Sequence, residues 1–182
     1  MRLENHTNIP DKEVRDMVRF ARPPGISGFD IRVSNITPKV KRYYDKAILT
    51  EGKEKGFSVR YEKNKSLIAG TAYHKGSSYH STASPFIVVR FTTYDDLFPA
   101  VRKGFKAYLP ELFLDRKEAL LGVLAHELRH LWQSKVKKGY RVWGSKGQFS
   151  ERDADAYAIR KTREWRRQHN KPQYEMLELL NK

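Results

Sequence analysis

Cysteine is absent from the 182 residues. That excludes a disulfide-stapled scaffold, a cysteine-ligated zinc finger, an iron–sulfur site and a thiol nucleophile. It fits a reducing compartment, and the cytoplasm is the expected location. Long apolar runs are missing too. No stretch approaches the ~18 apolar residues that read as a bilayer span, so no membrane span is expected. The opening MRLENHTNIPDKEVRDMVRF has no apolar centre and does not read as a signal peptide. Acidic residues are scarce beside basic ones, 21 Asp and Glu against 36 Lys and Arg, for a net charge of +15. The excess is spread over both halves of the chain. Such a field attracts polyanions: nucleic acid, an anionic surface or an acidic protein. Scattered, solvated lysines and arginines give the same balance.

What remains is a composition that folds. Hydrophobic residues make up 39% and aromatics 12%, too much for a disordered chain. The length suits one domain. We expect a single domain over 1–182, with a helix-and-strand part to about 114 and a helical part from about 115. Residues 11–22 read as a short helix, with Val14, Met17, Val18 and Ala21 on one face. Alternation at 29–35 reads as a strand, as do 56–63, 66–74 and, most clearly, 85–93 (PFIVVRFTT). Pro85 suits a first or edge position in that last strand. Thr37-Pro38 opens an expected helix to about Leu49, and 75–84 is a Gly/Ser loop. A short helix is expected within 95–108. The clearest helix is 116–135, with Asp115 as cap and Glu118 completing a capping box. Gly122 in its middle implies close backbone packing. After a glycine-containing loop, a second helix covers 150–168 with Ser150 as N-cap, and a last one covers 172–181. Strands followed by helices favour an α+β class.

The clearest helix carries chemistry. His126-Glu127-Leu128-Arg129-His130 is H-E-x-x-H. At one helical turn's spacing both imidazoles project from one face. Each can place a nitrogen ~2.0–2.1 Å from one Zn²⁺. Glu127 then sits beside the metal without ligating it, placed to take a proton from an activated water. A catalytic zinc usually has a third protein ligand. Six residues past His130 stands Val136, so a third histidine at that spacing is ruled out. Glu151 lies 21 residues past His130, in the first turn of the next helix, and opens E-x-x-A-D. Asp155 shares its face and is placed to accept the N–H of a ligand histidine, which fixes the tautomer. Asp153 competes, but it points about 160° around the helix from Asp155. Gln133 shares the ligand face and is a candidate cleft residue.

HELRH followed by SERDADAYA resembles the zinc metallopeptidases called gluzincins, whose fold is zincin-like: a twisted N-terminal sheet on an active-site helix, then a helical part. The resemblance covers about residues 115–165. It is to small soluble zincin domains, since the membrane-embedded kind needs a span. It implies that His126, His130 and Glu151 hold Zn²⁺, that Glu127 is the general base, and that Asp155 supports a ligand histidine. Gluzincins often add a tyrosine or histidine that steadies the oxyanion. Tyr140 is the preferred candidate, with Tyr157 and His169 as the others. In zincins the strand before the active-site helix forms the upper edge of the cleft, where a peptide pairs as an added strand. That assigns Ile87, Val88, Val89 and Arg90 to substrate.

The resulting expectation is a zinc metalloendopeptidase acting on a protein or peptide substrate. Two alternatives stay open: a zinc-binding structural or nucleic-acid-associated protein on the same fold, and a nucleic-acid-binding module with a fortuitous motif. A latent protease, with 1–25 or 172–182 over the cleft, is a further form of the first expectation.

Overall fold

A computed structural model describes residues 1–35, 68–73, 84–91, 98–102, 109, 111–136 and 148–171. The expected helices at 37–49 and 172–181, the strand at 56–63, most of the Gly/Ser loop and Tyr140 lie outside these residues. The described residues form an α+β structure. In chain order it runs β1 (Leu3–His6), α1 (Asp11–Ala21), β2 (Asp30–Asn35), β3 (Ile68–Tyr73), β4 (Phe86–Phe91), β5 (Ala100–Arg102), β6 (Glu111–Phe113), α2 (Arg116–Val136) and α3 (Gln148–Gln168).

Four strands make a mixed sheet in the order β1-β2-β4-β3. β1, β2 and β4 are parallel, and β3 runs antiparallel beside β4, outermost among the described residues. Parallel neighbours need a crossover, and α1 supplies it between β1 and β2. The order is therefore not strands first and helices after: a β-α-β unit comes at the start. Strand β1 escapes a sequence reading because LENH holds one apolar residue. Alternation in β2 and β4 turns Ile31, Val33, Ile87 and Val89 inward, each at most 2% exposed. Helix α1 joins the same core through Val14, Met17, Val18 and Ala21 and lies against α2. These contacts make residues 1–21 part of the core, not a detachable cover for a cleft.

Helix α2 starts where the capping pattern places it. Asp115 Oδ1 accepts the Glu118 N–H at 2.9 Å. Glu118 Oε2 reaches back to the N–H of Leu114, one residue before the cap, at 2.7 Å. Its residues from Glu118 to Leu128 are all buried, so this is a central helix with no solvent face there. Gly122 is required for that: a Cβ on it would stand 2.6 Å from the Phe113 ring. Residues 100–102, inside the segment expected to hold a short helix, instead form β5 and pair with β6. Pairing with residues 111–113 overrides the local pattern there. Helix α3 begins at Gln148, two residues earlier than expected. Ser150 is therefore inside the helix and buried, not its cap.

Helices α2 and α3 lie side by side, tied at one end by a buried ion pair. Arg166 Nη2 meets Glu118 Oε2 at 2.9 Å and the Leu112 carbonyl at 2.7 Å. Glu118 is fully buried and Arg166 3% exposed. Lys171 joins the same group through Asp115. None of the described helices is long and apolar enough to cross a membrane.

Candidate metal centre

The middle of α2 faces the first two turns of α3, and there four titratable groups meet. His126, His130 and Glu151 bring one donor atom each to a common point. The two Nε2 atoms are 3.0 Å apart. Glu151 Oε2 lies 3.3 Å from His126 Nε2 and 3.4 Å from His130 Nε2. Four-residue spacing on α2 and the position of Glu151 opposite that turn on α3 are enough to produce this convergence.

The outer nitrogens are both engaged. His126 Nδ1 bonds Asp155 Oδ1 at 2.8 Å, and the other Asp155 oxygen accepts the Leu109 N–H at 2.6 Å. His130 Nδ1 lies 2.9 Å from Gln133 Oε1. With Nδ1 occupied on each ring, the Nε2 atoms turn inward toward each other and toward a carboxylate. Such a cluster repels itself unless a proton or a cation sits within it. Burial disfavours charge on His126, but the hydrogen bonds to Asp155 and Glu151 and the Glu127 charge outweigh it, and its pKa rises to about 9. Burial likewise raises the Glu151 pKa, yet the two histidines overcome this and hold its carboxyl well below the usual carboxylate range.

The donor set fits a tetrahedral divalent ion. Donors ~2.05 Å from a tetrahedral zinc stand about 3.3 Å from one another. The three separations observed are 3.0, 3.3 and 3.4 Å. Two imidazoles and one carboxylate at these separations could hold such an ion.

Glu127 is 6% exposed and turns from α2 toward β3. The Ala72 main-chain N–H hydrogen-bonds its carboxylate. Burial raises its pKa against the opposing pull of His126 and His130, so it holds a proton more readily than an exposed glutamate. The close approach depends on Gly70: a Cβ there would stand 2.6 Å from Glu127 Oε1 and 2.6 Å from Val123 Cγ1. Nothing in the sequence marked Gly70, because the contact joins residues far apart in the chain.

Other residues singled out from the sequence are placed differently. Strand β4 lies between β2 and β3, so both of its main-chain edges are already paired. Ile87 and Val89 are fully buried, while Val88 and Arg90 face away from α2. These four residues cannot receive an added strand; among the described residues β3 is the outer strand on the α2 side. Tyr157 donates its hydroxyl to the Ala21 carbonyl at 2.8 Å and is 5% exposed, so it is committed to packing. His169 stacks on Trp165 beyond the end of α3. Eighteen residues past Glu151, it lies about 27 Å further along the helix direction. Asp153 grips Arg129 through two bonds of 2.7 and 3.0 Å and takes no place in the cluster. Gln133 is 3% exposed and hydrogen-bonded between His130 and α3. Comparison with known protein families, curated proteins and solved structures finds no match.

Proposed function

We propose that this chain is a zinc-dependent metalloendopeptidase with a zincin-like fold of the gluzincin type. The observation that carries this is the pairing of two different devices on one helix turn. His126 and His130 converge with Glu151, while Glu127, next to His126, is buried against β3 with a raised pKa. A purely structural ion needs the first device and not the second.

In this reading His126, His130 and Glu151 hold Zn²⁺, and Asp155 keeps the His126 Nδ1–H pointed outward. Zinc, when bound, lowers the pKa of water and polarises a carbonyl. Glu127 takes a proton on its carboxylate and returns it to the departing amine. The Ala72 N–H keeps that carboxylate aimed, and its burial keeps bulk water from it. An extended peptide substrate lies alongside β3, the strand that packs against Glu127. The positive surface would favour acidic protein substrates, or hold the enzyme on nucleic acid near them, inside the cytoplasm.

The test is metal content and proteolysis on one preparation. One zinc per chain is expected, with binding weakened in Glu151→Ala and casein cleavage lost in Glu127→Gln. The +15 charge favours a second reading, a zinc-binding, nucleic-acid-associated protein on the same fold. Zinc uptake without cleavage of any denatured protein, together with salt-sensitive DNA or RNA binding, would select it. A preparation that takes up no zinc from a metal-replete solution overturns both.

A further inference from the structure

Gln133 stands seven residues after His126 and three after His130, one turn beyond the second histidine. Its side chain makes four hydrogen bonds, all that a primary amide can make through two donors and two lone pairs. Oε1 receives His130 Nδ1 at 2.9 Å and the Ser150 hydroxyl at 2.9 Å. Nε2 donates to the Ser150 carbonyl at 3.0 Å and to Asp153 Oδ2 at 2.8 Å. The direction of the amide is decided by its surroundings. One side faces a main-chain carbonyl and a carboxylate, which only accept, so the NH₂ must lie there. The oxygen is then left facing His130.

An oxygen facing Nδ1 requires Nδ1 to carry the hydrogen. His130 Nε2 is then the bare nitrogen, the form that ligates a metal. Resting on the metal-site reading above, the geometry points to Gln133 as the positioning residue that fixes the tautomer and ring direction of His130. Asp155 does the same for His126, but as a carboxylate with a full charge. The two ligand histidines thus have unlike supports, one anionic and one neutral. The neutral one is itself anchored: Asp153 is held by Arg129, whose guanidinium lies 3.8 Å above the Trp132 ring. Ser150 Oγ, 3.4 Å from His130 Nδ1, adds a contact at the limit of hydrogen bonding.

The position needs an amide and not only an acceptor. A glutamate would still offer His130 an oxygen, but its other oxygen would face the Ser150 carbonyl and the Asp153 carboxylate. Leucine would keep the bulk and offer neither donor nor acceptor. The two substitutions therefore separate positioning from packing.

The experiment measures zinc affinity by competition with a chelating dye, thermal unfolding of metal-free protein, and the His130 ring by ¹H–¹⁵N correlation in the wild type, Gln133→Leu and Gln133→Glu. In Gln133→Leu, zinc affinity should fall about 10- to 100-fold, and the slowly exchanging Nδ1–H signal of His130 should vanish while that of His126 stays. Gln133→Glu should keep the signal and bind zinc within about threefold of wild type, yet unfold at a lower temperature. Wild-type affinity and an unchanged His130 signal in Gln133→Leu would overturn the assignment. So would a parallel loss of affinity in both variants, which would make Gln133 a packing residue. If the wild type itself binds no zinc, the metal reading fails separately. The His130 tautomer in metal-free wild type and Gln133→Leu then decides the role of Gln133 on its own.

Discussion

A proton and a metal compete for one place in this cluster, and the competition has a measurable pH profile. In metal-free protein His126 holds a proton up to about pH 9, because Asp155, Glu151 and Glu127 surround it with negative charge. At pH 7, two units lower, only about one molecule in a hundred has the bare nitrogen that a metal needs. Zinc uptake must then release a proton. Apparent zinc affinity should therefore climb about tenfold per pH unit between pH 7 and 9, roughly 100-fold in all, and level off above that. An ordinary histidine, with a pKa near 6.5, would give a plateau already reached at pH 7. Folding stability of metal-free protein should move the other way. The folded pKa lies above the unfolded value, so the stabilisation is fully present below pH 6.5 and is lost as pH rises through about 9. Its upper bound is about 3 kcal/mol, from roughly 2.5 pH units at 1.36 kcal/mol each. The assay is chelator competition at several pH values, with proton release followed by an indicator dye, and denaturant unfolding of the metal-free form alongside. Affinity that stays flat from pH 7 to 9, with no proton released at pH 7, would refute this account of the cluster.

Other substitutions probe the frame around the site. Gly70→Ala places a methyl against Glu127 and Val123, so it should cost about 1–3 kcal/mol of stability by overpacking and impair cleavage while leaving zinc affinity near wild type; an unimpaired enzyme would show that β3 does not set the position of Glu127. Arg166→Leu leaves fully buried Glu118 without its main partner and should cost on the order of 3–5 kcal/mol, read as a lower denaturation midpoint. Tyr157→Phe strands the buried Ala21 carbonyl and should cost about 1–2 kcal/mol; a much larger loss in turnover than in stability would instead give the hydroxyl a part in the chemistry.

The shared face of His126 and His130 was legible because its geometry is local. Two histidines four apart on a continuous helix share a face whatever surrounds them, and the same holds for Glu151 and Asp155. The capping of α2 by Asp115 and Glu118 was legible for the same reason. What depended on the order of strands was not. PFIVVRF and SLIAGTAYH both read as strands, and nothing within either says which is the edge. The unbroken apolar run of β4 is what a strand enclosed on both sides looks like, whereas Pro85 drew attention to an edge. The glycine in β3 marked the close approach to Glu127 only once the helix beneath it was known. Gln133 had the right periodicity, but its task is set by Ser150 and Asp153 on another helix, and no spacing within α2 reveals it.

Every donor of the cluster, and nearly every group that steadies a donor, comes from α2 and α3. The sheet contributes none. In the proposed reading, metal chemistry and substrate contact are carried by separate parts of the chain, so that each could vary in descent without undoing the other. On that reading the strands would be free to drift toward new targets while the helix pair kept the reaction. One contact between the two parts is too tight for even a methyl group, that of Gly70 with Glu127 and Val123. Drift in the strands is therefore expected to stop at that glycine, and its retention among descendants would be a simple sign that the reaction has been kept.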